Sequence, residues 1–138
     1  MTLLHKDTKK ALIRSLPLFA ECNRDEIAQV AAIADEIDFP AGRTLAVENA
    51  VGREFVVIAE GSATVLHGEK PVATLAAGDF FGEIALMTGR PRTASVVAQT
   101  DVRALVIEVH AFLTLMESAP EIRAKVQRAM AERTTTAS

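Results

Sequence analysis

The spacing of apolar residues changes twice along the chain, and each change predicts a change of secondary structure. Near the N-terminus, Leu12, Ile13 and Leu16 stand opposite Lys9, Lys10 and Arg14, which predicts a short helix capped by Asp7 or Thr8 and ended by Pro17. Asn23 and Glu26 have capping-box spacing, and Ile27, Val30, Ala31 and Ala34 then recur at helical period. From Ile37 to Val109 the pattern becomes short apolar or alternating runs rich in β-branched residues: Thr44–Val47, Phe55–Ala59, Ala63–Leu66, Val72–Leu75, Ala94–Ala98 and Ala104–Val109. Turn signals such as Pro40-Ala41-Gly42, Glu60-Gly61, His67-Gly68 and Ala77-Gly78-Asp79 separate them roughly every ten residues, as in a sandwich or barrel. Gly82–Met87 does not alternate and predicts a single helical turn. Helical spacing returns at His110–Glu117, packing Phe112, Leu113 and Met116. Ser118-Ala119-Pro120-Glu121 then combines a capping residue, a proline and an acidic first turn, so a last helix with Ile122, Val126, Ala129 and Met130 on one face is expected. The expected fold is mainly β with flanking helices, an antiparallel β-roll of jelly-roll type. One domain spans residues 1–138: N-terminal helices over 1–35, the β unit over 36–109 and C-terminal helices over 110–133.

Composition narrows the choice of function. With 49% apolar and 24% charged residues the chain can build a core. A net charge of −3 means that a nucleic-acid partner would need a localised basic face. No apolar run approaches the ~20 residues of a membrane helix, and the charged N-terminus is unlike a signal peptide. Cys22 has no second cysteine to pair with, which fits a reducing, cytoplasmic setting. His5, His67 and His110 lack the spacing of metal ligands, so no metal or cofactor is expected.

The chemistry concentrates in Gly78–Val96. Glycines here allow close backbone approach to a ligand. Glu83 is a lone carboxylate, and Ile84, Ala85 and Leu86 open a turn whose free N–H groups suit an anion. A loop returns Arg90 and Arg92 beside it, and an arginine fork can hold two phosphate oxygens. There is no Gly-Lys-Ser/Thr, so this is not a triphosphate loop. One arginine with backbone amides suits a singly charged phosphate, and a nearby carboxylate suits a hydroxyl donor such as a ribose 2′-OH. Arg90 is expected to be a solvated loop residue.

Phe81-Gly82-Glu83-Ile84-Ala85-Leu86 followed by Pro91-Arg92-Thr93-Ala94-Ser95-Val96 resembles the phosphate-binding cassette of the cyclic-nucleotide-binding domain family, placing that cassette at 80–96. Leu18-Phe19, Phe39-Pro40-Ala41-Gly42, Phe55–Ile58 and Gly61 extend the likeness over most of the chain. The resemblance implies a ligand-gated regulatory module rather than an enzyme, with cAMP or cGMP as its ligand, cAMP favoured. It implies that Glu83, with Gly82, accepts the ribose 2′-OH, that the Ala85 amide faces the cyclic phosphate and that Arg92 pairs with its exocyclic oxygens. Thr93 would touch the phosphate or favour guanine, Val65 and Leu75 would line the base pocket, and Arg133 would reach the purine. The last helix would close over the base and signal to an effector protein or domain. Two positions depart from the pattern: Asn49 stands where many members have Gly, and Arg53 replaces a frequent acidic residue. Left-handed backbone is tolerated by Asn, so that turn survives. The competing expectations are a cupin-like metal-dependent enzyme, which would need a His/Glu set, and a β-roll interaction module that has lost its ligand.

Overall fold

Alternation explains how two strands come to hold the molecule together. In the computed structural model, which describes the backbone of residues 5–136 and the side chains of residues 9–129 and 131, β3 (Glu54–Glu60) and β8 (Val102–Glu108) pair antiparallel near the middle of one sheet. Successive side chains of a strand point to opposite faces. Phe55 and Val57 therefore enter one buried cluster while Val56 and Ile58 enter another, and on β8 Leu105 and Ile107 divide from Ala104 in the same way. A strand buried on both faces needs a continuous apolar run, which is what residues 55–59 are.

Around this pair the described residues form two four-stranded antiparallel sheets. One has the order β1 (Ala34–Phe39), β8, β3, β6 (Phe80–Phe81). The other has β2 (Thr44–Ala46), β7 (Ser95–Ala98), β4 (Ala63–His67), β5 (Lys70–Leu75). The second cluster, with Ala46, Ala63, Leu75, Phe81, Val96 and Ala98, lies inside the roll. On the other face of β3 and β8 the first cluster joins them to the helices: α1 (His5–Ser15), a 3₁₀ turn (Pro17–Phe19), α2 (Arg24–Ile33), α4 (Val109–Ser118) and α5 (Pro120–Thr136). The Phe55 and Phe112 rings, 4.6 Å apart, form the centre of that face. The roll with flanking helices agrees with the expected fold. Among the described residues no helix is long and apolar enough to cross a membrane.

Local signals behave as physics requires, with instructive exceptions. Asn23 and Glu26 make the complete capping box, with the Asn23 Oδ1 accepting from the Glu26 amide at 2.8 Å and Glu26 Oε1 accepting from the Asn23 amide at 2.9 Å. The first helix is not capped at Asp7 or Thr8, because both lie inside α1. Ala34 does not continue α2. Its amide still donates to the Val30 carbonyl as the helix C-cap, while its extended backbone opens β1 opposite Ile107. Leu113 is 38% exposed, since α4 buries Phe112, Leu115 and Met116, the i, i+3, i+4 set. Ser118 does not cap the last helix. Its hydroxyl bonds the Leu115 carbonyl and receives Gln29 Nε2 at 2.6 Å, while α5 begins directly at Pro120. Cys22 is half-buried, and its thiol is pushed up to about 11, first by burial and then by nearby carboxylates led by Glu26 and Glu121. It remains a neutral thiol at physiological pH.

Candidate functional site

The site is built where β6 gives way to a short helix. Phe80 and Phe81 pair with Val57 and Val56, anchoring the strand to the middle of the first sheet. Gly82 then turns the chain with φ 101°, in the left-handed region where a side chain is strained. Directly after it begins α3 (Glu83–Thr88), a six-residue helix where a single turn was expected. Gly82 supplies no side-chain acceptor to the first-turn N–H groups of α3. Glu83 and Ala85 are buried, Ile84 partly so.

Arg92 comes to this point from the other direction. Its backbone is strapped to the loop between β2 and β3: the Arg92 amide donates to the Ala50 carbonyl and its carbonyl accepts from Asn49, both at 2.8 Å. Asn49 holds φ 70°, so asparagine serves the turn as expected. The Arg92 side chain is only 7% exposed. Nη2 donates to the Glu54 carbonyl at 2.8 Å, and the guanidinium carbon stands 5.8 Å from the centroid of the Phe81 ring. Nη1 is buried and has no hydrogen-bond partner among the described residues. Burial pushes the guanidinium below its ordinary value, and the carboxylates of Glu54 and Glu83 pull it back up. A buried cationic donor left unmatched is costly, so the geometry suits an anion that can accept from it.

The remaining expected residues divide. Val65 on β4 and Leu75 on β5 pack in the roll cluster together with Phe81, so the apolar wall beneath Arg92 and these two residues are parts of one surface. Thr93 is exposed at a bend just before β7, and Arg90 is exposed as expected. Arg133 falls within α5, but its side chain lies outside the described residues. Two contributors, Glu54 and Gly52, carried no recognised signal. Glu54 acts through its carbonyl, which every residue has. Gly52 leaves space beside Arg92 and α3: a Cβ there would stand 2.6 Å from that of Ala85. Phe81 was part of the motif, but its place beneath Arg92 depends on the β3–β6 register. A cleft of about 230 Å³ reaches Arg92 from the loop side, between Ala46, Val47, Ala50, Val51 and Glu54. Among the described residues no three His, Cys, Asp or Glu side chains gather as a metal site.

A β-roll that presents a short helix and a buried arginine at one edge is the build of a small-ligand-binding regulatory domain. The chain belongs to the cyclic nucleotide-binding domain family, whose model matches residues 36–119. Among curated proteins it is 41% identical over 96 residues to a cAMP-dependent protein kinase regulatory subunit of Aspergillus fumigatus, covering 68% of this chain and 23% of that one. It is 34% identical over 122 residues to a cyclic nucleotide-gated potassium channel of Rhizobium etli, covering 88% of this chain and 34% of the channel. The chain thus spans only 23–34% of the length of these two relatives. In structure it is similar to the regulatory domain of Toxoplasma gondii PKA crystallised with cAMP, with a TM-score of 0.77 and 26% identity, covering 95% of this chain and 50% of that one. It is also similar to the regulatory subunit of a cAMP-independent protein kinase A from Trypanosoma brucei, with a TM-score of 0.83 and 21% identity, covering 93% and 46%. That second neighbour shows why the fold does not choose the ligand.

Proposed function

We propose that this chain binds cAMP in preference to cGMP and acts as a ligand-gated regulatory module without catalytic activity of its own. The observation that carries the reading is the buried Arg92 Nη1 without a partner beside the start of α3. In this reading the exocyclic phosphate oxygens accept from Arg92 and from the Ala85 amide. Glu83, with the Gly82 and Ile84 backbone beside it, takes the ribose 2′-OH. Val65 and Leu75 receive the base, with Thr93 at the rim and Arg133 reaching the purine from the last helix. The preference for cAMP is supported by the names of the kinase relatives and by the cAMP-bound Toxoplasma gondii structure.

Output requires α5 to move. Its Ile122 and Val126 pack in the helical cluster, whereas Val65 and Leu75 belong to the roll cluster. Closing over the base therefore takes the helix away from the position described. Contacts between α5 and ligand would exist only in the closed state, so binding shifts the population toward it and changes the surface shown to an effector protein. Calorimetric titration with cAMP and cGMP tests the reading: saturable binding with cAMP the tighter ligand is expected. Absence of heat and of a thermal shift with both nucleotides would overturn it.

A further inference from the structure

Gly52 lies on the loop between β2 and β3 with a backbone that any residue could adopt, since its φ is not in the left-handed region. Its smallness is required by contact instead. A Cβ built there would stand 2.6 Å from the Cβ of Ala85, and 3.3 and 3.4 Å from Nε and Cζ of Arg92. The first distance is far inside carbon–carbon contact and the others are tight. The same loop straps the Arg92 backbone through Ala50 and Asn49. One segment of chain thus sets both the path of the arginine and its gap from the first turn of α3. On the far side Gly82 leaves comparable room, where a Cβ would approach Nη1 at 2.5 Å. The guanidinium sits in a slot between two glycines, of which only Gly82 needs to be glycine for its backbone.

We propose that Gly52 is a positioning residue for the phosphate site: by leaving out a side chain it lets Arg92 and the Ala85 amide converge on one anion. This rests on the reading of the site as a cyclic-nucleotide site. A methyl at position 52 pushes α3 outward or turns the guanidinium, and either change separates the two phosphate donors. Because both donors act on the same phosphate, the effect of Gly52 is coupled to Arg92 and should be smaller once Arg92 is gone.

The experiment is a double-mutant cycle by calorimetry with cAMP on the whole chain: parent, Gly52→Ala, Arg92→Ala and the pair. Gly52→Ala should bind about tenfold more weakly, the scale of one charge-assisted hydrogen bond, and the pair should lose less affinity than the two single losses combined. It should also shift the Arg92 Nε–H resonance without nucleotide present, a change that general loosening of the fold would not confine to that group. Parent-like affinity of Gly52→Ala, or a full additional loss in the pair, would refute the positioning role while leaving the nucleotide reading intact. Failure of the parent to bind would remove both. Should Gly52→Ala not fold, Gly52→Ala with Ala85→Gly reopens the 2.6 Å contact and keeps the one against Arg92, so weaker binding is still expected from it and unchanged binding refutes the proposal.

Discussion

Arg92 combines three properties seldom found on a solvated arginine: it is enclosed, it stands over an aromatic ring, and one of its donors is unmatched. Each makes sense if an anion completes the site. Arg92→Ala should then weaken cAMP binding by at least about tenfold, one charge-assisted hydrogen bond or more, with the circular dichroism spectrum unchanged. Arg92→Lys should not restore it, because a single ammonium cannot hold the Glu54 carbonyl and a phosphate in a planar fork. Glu83 is 1% exposed, and its proposed partner is the ribose hydroxyl. The parent should prefer cAMP over 2′-deoxy-cAMP, and Glu83→Ala should bind the two nearly alike when both are titrated. Strong discrimination surviving in the mutant would take Glu83 away from the ribose. At this scale the sequence was most informative about side chains with chemistry. Arg92, Glu83 and Gly82 stood out as candidates because few residue types have the chemistry proposed for them. Glu54 and Gly52 did not, since every residue has a main-chain carbonyl and nothing in the sequence distinguishes a glycine kept small by contact from one needed for its backbone.

At the level of elements, capping chemistry and period guided the Asn23 box and the α3 turn after Gly82, whereas the caps expected at Asp7 or Thr8 and at Ser118 did not form. Period failed at Ala34 and Leu113, where pairing with β8 and packing of α4 against the core decide instead. The contact of α5 with the N-terminal helices also joins distant parts of the chain. Lys125 Nζ donates to the Pro17 carbonyl at 2.8 Å and meets Glu21 at 3.0 Å, and Glu121 stands against Glu26. The Glu121 carboxyl is raised above 4.5, first by its hydrogen bond with Glu26, then by the charges of Glu26 and Glu21 and some desolvation. A carboxyl with a raised folded-state value stabilises the fold when protonated. That stability is present below its unfolded value and is lost as pH rises through the folded one. Thermal melting should therefore lose stability over the interval just above pH 4.5, and Glu121→Gln, which keeps a hydrogen-bond donor for Glu26, should flatten that part of the profile. An unchanged profile in the mutant would show that Glu121 does not link α5 to α2 in this way.

For the molecule as a whole, the two buried clusters share β3 and β8, so the roll and the flanking helices are not separate bodies. Ligand binding to the folded state alone should stabilise the entire unit by mass action, about 2.7 kcal/mol at one hundred times Kd. A single cooperative melting transition that rises with cAMP is expected, with no rise in Arg92→Ala. Separate roll and helix transitions, or a rise in the mutant, would contradict this coupling. The sequence alone carried the fold class, the helices and the described strands other than β1 and β6, together with the motif of the proposed phosphate site, because these follow from period, turn residues and a few side chains of distinctive chemistry. Tertiary structure alone decided where α2 yields to β1, which face of α4 is buried, that α5 rests in the helical cluster, and how Gly52, Glu54 and Phe81 surround Arg92. Those outcomes depend on which distant backbones and surfaces meet, and no local spacing encodes that.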